Sequence, residues 1–292
     1  MHTVQPGGRV NSERHISAGS LSDGAGSGAA PLRDEVGCAS DVPSFEILGV
    51  RVHAVESAET IELLHAWIED RLKRSRYVAL PAMHTVAAAR RDKSFRHVLN
   101  SADLVVPDGT PLVWAGRIKG CRMRRRVSGC DLLDSFCRAS RGAHRHFFYG
   151  GTPGSAENLA RTLREKFGIV VAGTYTPPFR PLAQKEEAEL AAMVEDSSPD
   201  VLWVGLSSPK QETFMFEHRH NLKVPLMVGV GAAFDLNCGN VSRAPVWMRD
   251  HGLEWLFRLA AEPRRLWKRY LITIPHALWF VSLELISFRK PR

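Results

Sequence analysis

Residues 144–175 read HRHFFYGGTPGSAENLARTLREKFGIVVAGTY. The aromatic run HRHFFYGG has the composition of a strand, and the glycines and proline after it form a turn. Next comes SAENLARTLREKFG, whose apolar residues recur every three or four positions, as on one face of a helix. IVVAGTY then returns to β-branched residues. Strand, helix and strand in succession form one unit of a parallel sheet. Gly150 and Gly151 let the backbone come close to another group, and the helix behind them opens its free amides toward the same place, which suits an anion. An ordinary Gly/Pro turn would look the same, so both readings stay open here.

The alternation extends in both directions. FEILGVRVHAV, from Phe45, reads as a strand or hairpin, and Ser57 is placed to cap the helix AETIELLHAWIEDRLK. YVALPAM and DLVVPDG read as strands. TVAAARRDKSFRHVLNSA reads as one helix, and TPLVWAGRI and GCDLLDSFCRAS as two more. Downstream, KEEAELAAMVEDS and QETFMFEHRHNL read as helices between the strands VLWVGLSS and LMVGVGAAF. This is an α/β fold, a mostly parallel sheet with helices on both faces. Residues 1–43 hold seven glycines, many serines and few large apolar residues, and are expected to be a disordered tail. The core is expected over 44–240 and an appendage over 241–292.

The chain has 292 residues, a net charge of +8 and five cysteines without a CxxC pair. A reduced protein with no disulfide framework and no zinc site is expected. Its positive charge suits nucleic acid, anionic lipid or an anionic substrate. The basic residues are not interleaved with stacking aromatics and no recognition motif occurs, which argues against nucleic acid. GxGxxG after a strand, GxxxxGK[ST] and GxSxG are all absent, so dinucleotide redox, P-loop hydrolysis and serine esterase chemistry lose support. No DxD triplet offers ligands for a metal-held diphosphate.

Ligands of such sheets sit beyond the carboxyl ends of the strands. Asp108, in VVPDG, is delivered there as a candidate general base or as an Asp-Gly turn residue. Arg126 ends RMRRR just before a helix and could hold a diphosphate. Arg122, Arg124 and Arg125 read as a solvated loop. Gln211, after VGLSSP, could hydrogen-bond phosphate or sugar.

Together these stretches resemble the WecG/TagA/CpsF bacterial glycosyltransferases. The resemblance rests on ADLVVPDGTPLVWAGRIKG (102–120), RVSGCDLL (126–133), FYGGTPGSAENLA (148–160), GLSSPKQE (205–212) and the long block from Val228 to Tyr270. It implies a Rossmann-like core and a helical C-terminal appendage that completes the active site and associates with the membrane. It further implies metal-free, inverting transfer from a UDP-sugar to a polyprenyl-diphosphate-linked saccharide, with no cofactor, at the cytoplasmic face of the bacterial inner membrane. Asp108, Arg126 and Gln211 take the family's functional positions. Gly150, Gly151, Gly231, Asp235, Arg243, Arg258 and Arg265 are expected to line the substrate site. The family's usual Thr-x-Asn falls on Leu80 and Ala82, which cannot hydrogen-bond a sugar. Both are expected to face the donor, with His84 and Thr85 taking over the contact. This departure also leaves open a catalytically weak nucleotide-sugar-binding or scaffold subunit, and the sequence leaves a homo-oligomer open.

LITIPHALWFVSLELISF (271–288) follows a basic stretch. At about 100° per residue, Thr273, His276, Glu284 and Ser287 form one narrow polar stripe on an otherwise mostly apolar helix. That suits a helix lying in the membrane interface or docked on a partner, and the basic residues before it suit anionic lipid.

Overall fold

The computed structural model describes residues 42–70, 74–237, 243–250 and 253–261, with Pro263, Arg264, Trp267 and Pro275. The tail expected before residue 42, Arg265 and all of the segment 271–288 except Pro275 lie outside them.

β1 (Ser44–Ile47) and β2 (Val50–His53) form an antiparallel hairpin. Its turn residues Leu48 and Gly49 both have positive φ, 54° and 81°, as a tight two-residue hairpin turn requires. The remaining strands are β3 (Arg76–Ala79), β4 (Leu104–Val105), β5 (Arg145–Gly150), β6 (Val170–Tyr175), β7 (Val201–Gly205) and β8 (Leu226–Gly229). They form one sheet in the order β4-β3-β8-β7-β5-β6, and every neighbouring pair is parallel. All six carboxyl ends therefore share one rim.

Both sheet faces are apolar, so successive residues enter opposite core layers. Tyr77, Ala79, Phe147, Tyr149, Leu202, Val204 and Met227 fill one layer. Val78, Leu80, Phe148, Val201, Trp203, Leu226 and Val228 fill the other. The edge of β4 is closed by the hairpin, whose His53 Nδ1 accepts the Val105 amide at 3.0 Å. Burial, helped by Arg51, lowers the His53 pKa to about 4, so the imidazole is a neutral acceptor. His146 is also buried. Its Nδ1 accepts Trp203 Nε1–H at 3.0 Å, and burial lowers its pKa to about 3.

The helices are α1 (Ser57–Asp70), α2 (Met83–Arg91), α3 (Lys93–Asn100), α4 (Thr110–Ile118), α5 (Gly129–Ser140) and α6 (Ser155–Phe167). They continue with α7 (Gln184–Ser197), α8 (Lys210–His218), α9 (Ala233–Asn237), α10 (Val246–Asp250) and α11 (Glu254–Ala261). Three sequence expectations need correction. The single helix expected over 85–102 is two, because the Asp92 carboxylate accepts the Ser94 and Phe95 amides and so caps α3. The strand expected over 226–234 ends at Gly229, and Ala233 already opens α9. Ser57 is helical rather than a cap, and the Glu59 carboxylate instead accepts the amide of Glu56.

The chain runs β3 to β4 toward one edge and β5 to β6 toward the other, then returns through β7 and β8. Connections run toward the β4 edge from β3 to β4 and from β7 to β8 but toward the β6 edge from β5 to β6, so the direction of winding changes where β7 meets β5, which is where such a sheet opens a crevice at its rim.

Candidate active site

Three segments meet at the rim beyond β3 and β4. The Asp108 amide donates to the Pro81 carbonyl at 3.1 Å, and the Val127 amide donates to the Pro107 carbonyl at 3.1 Å. Ala82, Asp108 and Arg126 are thereby brought together at the ends of β3 and β4. Gly109, at φ 139°, turns the chain sharply into α4, a conformation open to glycine but rarely to other residues.

Arg126 links two carboxylates. Its Nη1 donates to Asp108 Oδ1 at 3.1 Å and its Nη2 donates to Glu254 Oε2 on α11. The Arg126 and Glu254 side chains are 16% and 14% exposed, and that of Asp108 is 32% exposed, so only Asp108 stands open to an incoming group. Loss of hydration pushes the Asp108 pKa up to about 6. Arg126 acts against that rise, Glu254 adds to it, and Arg258 also acts against it.

A second charge group adjoins the first. Asp131, in the first turn of α5, accepts from Arg243 Nη2 at 2.6 Å and from Arg249 Nη1 at 3.1 Å. The Nε atoms of Arg243, Arg249 and Arg258 are buried without a protein hydrogen-bond partner. Three guanidinium donors thus remain unsatisfied in a region already rich in positive charge, an unusual cost in a folded protein unless an acceptor arrives.

Gln211 opens α8 beneath the end of β8. It is 4% exposed, and its Nε2 donates to Glu212 Oε1 at 3.1 Å. Its Oε1 is buried without a partner, and a Cβ at Gly231 would lie 3.5 Å from it, so the amide lies against that bend. Glu212 is fully buried. Burial raises its pKa, while hydrogen bonds from its own backbone, Gln211 and Ser208 act the other way.

Sequence reasoning missed Glu254, Asp131, Arg249 and Glu212. Glu254 and Arg126 lie 128 positions apart, so no local pattern joins them. Glu212 follows Gln211 directly, but a charged residue in a helix's first turn ordinarily reads as solvated.

The other expected residues are placed differently. Leu80 is 6% exposed and continues the Val78 side of the strand into the core, so it does not face the rim and the expectation that it would is corrected. Thr85 is buried in the first turn of α2, and His84 is half-buried beside it. Asp235 is half-buried on α9. Gly150 has a reason within the protein itself, since a Cβ there would come within 2.7 Å of the Gly205 backbone. The Gly151 amide donates to the Gly205 carbonyl at 3.0 Å. Beyond them a groove of about 550 Å³ opens at the end of β6, between Pro153, Gly154, Tyr175 and Phe179. It lies at the opposite sheet edge from Asp108, five strand spacings or roughly 24 Å away. The ion pairs that join Asp108, Arg126 and Glu254 stand at the β3–β4 end instead.

A carboxylate that titrates near neutrality, among guanidinium groups at the rim of a parallel sheet, equips an α/β enzyme to transfer a group from an anionic carrier. Residues 45–291 match the model of the Glycosyl transferase WecG/TagA/CpsF family, and the chain belongs to that family: it is a glycosyltransferase. It is 35% identical over 205 residues, 70% of this chain and 77% of the relative, to an N-acetylglucosaminyldiphosphoundecaprenol N-acetyl-beta-D-mannosaminyltransferase of Bacillus spizizenii (strain ATCC 23059 / NRRL B-14472 / W23). It is 30% identical over 198 residues, 68% of this chain and 75% of the relative, to a protein of the same name from Bacillus subtilis (strain 168).

Proposed function

We propose that this enzyme moves a sugar from a UDP-sugar to a saccharide carried on a polyprenyl diphosphate, with inversion and without a metal, in surface polysaccharide synthesis. The observation that carries the reading is the pairing of a raised-pKa carboxylate with unsatisfied guanidinium donors at one rim. Asp108 takes the proton of the acceptor hydroxyl as its oxygen attacks the anomeric carbon. The bond from that carbon to the UDP oxygen breaks on the opposite face, and UDP leaves with the electron pair. Arg126, Arg243 and Arg258 stabilise the departing diphosphate in place of a metal, and Gln211 orients the donor. The nucleoside extends along the rim toward Gly150 and Gly151. Residues 44–240 act as the core. Residues 241–292 act as an appendage that completes the site and brings the enzyme to the cytoplasmic face of the membrane, with Arg265 also near the diphosphate. Among the described residues no helix is long and apolar enough to cross a membrane.

The test is UDP release from UDP-glucose, UDP-N-acetylglucosamine and UDP-N-acetylmannosamine, with and without a lipid-diphosphate N-acetylglucosamine acceptor. Release that needs the acceptor and survives EDTA is expected. Loss with EDTA and recovery with magnesium would overturn the metal-free step, and no acceptor-dependent release from any donor would overturn the reading.

The pKa of Asp108 sets the pH dependence. The base works only when deprotonated, so kcat/KM should rise with pH through about 6 rather than near 4, where an ordinary carboxylate titrates. At pH 5 about a tenth of the plateau rate is expected, from the fraction of carboxylate ionised. A profile flat from pH 5 to 8 would remove Asp108 as the rate-controlling base.

A further inference from the structure

Among the described residues, nothing covers the outer face of α4. Leu112, Val113, Ala115 and Gly116 pack inward, while Trp114 and Ile118, one turn apart, are 54% and 51% exposed. The chain that follows folds back onto this helix, with Arg117 donating from Nε to the Met123 carbonyl at 2.6 Å and from Nη2 to the Arg124 carbonyl at 2.5 Å. Arg117, Arg122, Arg124 and Arg125 are exposed there, and between Gly109 and Arg126 the sequence has no acid at all. An exposed tryptophan and isoleucine beside a strip of arginines match the two components of an anionic bilayer surface, the headgroup–acyl boundary and the negative headgroups.

The position strengthens the match. Asp108 precedes α4 by two residues, and Trp114 lies four residues into that helix, about 6 Å of helical rise from Thr110. On the other side of the same ion-pair chain, Glu254 begins α11, and Trp255 and Leu256 directly after it are 40% and 45% exposed. Exposed apolar groups thus follow both acids that hold Arg126.

We infer that the outer face of α4 and the 117–125 loop form a docking surface for anionic phospholipid, separate from residues 271–292, which sets the Asp108 rim against the membrane. This rests on the proposed lipid-linked acceptor for its purpose, but not for its test.

The test uses full-length protein titrated with phosphatidylcholine vesicles, with or without phosphatidylglycerol. Trp114→Ser combined with Ile118→Ser should weaken partitioning onto anionic vesicles by about tenfold or more, given the apolar area withdrawn. Arg122→Ser combined with Arg125→Ser should reduce the preference for anionic over neutral vesicles. Thermal melts matching the parent would show that the fold is intact. Equal partitioning of parent and variants overturns the proposal. So does a parental dimer that becomes a monomer in the Trp114/Ile118 variant with partitioning unchanged, because the face then belongs to a second copy. If partitioning falls as stated but the parent transfers sugar to no lipid-linked acceptor, the docking surface stands and the acceptor reading fails.

Discussion

Asp108→Asn should lower turnover by roughly 10²- to 10⁴-fold, the usual contribution of a general base, while leaving nucleotide binding near the parental value. The carboxylate is the open member of the group Asp108–Arg126–Glu254, and asparagine keeps its shape and one acceptor oxygen but cannot take a proton. The rise of rate through pH 6 should vanish with it. Measured with a lipid-diphosphate acceptor and a UDP-sugar, turnover within about threefold of the parent would exclude Asp108 as the base.

Arg126→Ala should be as damaging by another route. Arg126 is 16% exposed and bridges two carboxylates, so its removal leaves Asp108 and Glu254 facing each other without a cation. Breaking such a partly buried network costs on the order of 3–5 kcal/mol, and the melting temperature should fall accordingly. The Asp108 pKa should rise further, because the guanidinium that opposes its rise is gone while the Glu254 charge remains. Turnover at pH 7 should drop by about 10² or more, and the pH limb should move above 6. Adding Glu254→Gln should bring the limb back down without restoring the full rate, since the proposed contact to the leaving diphosphate stays lost. A limb that remains at 6 in Arg126→Ala would show that the ion pair does not tune Asp108.

Much of this was legible in the sequence because both the fold and the site follow local rules. Period-two and period-3.6 patterns gave the alternation of strands and helices, and the strand-end rule led to Asp108, Arg126 and Gln211. What stayed hidden was non-local. The reading of one helix over 85–102 passed over Asp92, whose carboxylate accepts the amides that open α3. Leu80 stands where the family's usual motif would face the rim, but strand alternation turns it inward, leaving Ala82 as the exposed half of that departure. The glycines of FFYGG suggested a bound anion, and the adjoining strand accounts for Gly150, whose missing side chain makes room for Gly205. The partnership of Arg126 with Glu254 depends on a helix that returns across the rim only after the sheet is complete.

The buried histidines have a consequence for how acid acts on the molecule. His53, His65 and His146 all have lowered pKa values, His65 through burial and then His144. Below pH 6.5 the unfolded chain therefore binds protons that the folded imidazoles refuse, and stability falls as pH drops toward 4. Asp108 and Glu212 act with the opposite sign: their raised pKa values let the native state hold protons that the unfolded carboxylates release. The imidazoles and the two carboxyl groups thus pull the stability in opposite directions as the pH falls. Acid therefore loads the fold and the Asp108 carboxylate over overlapping ranges of pH, and a thermal melt at each pH separates a loss of rate that comes from the chemistry from one that comes from unfolding.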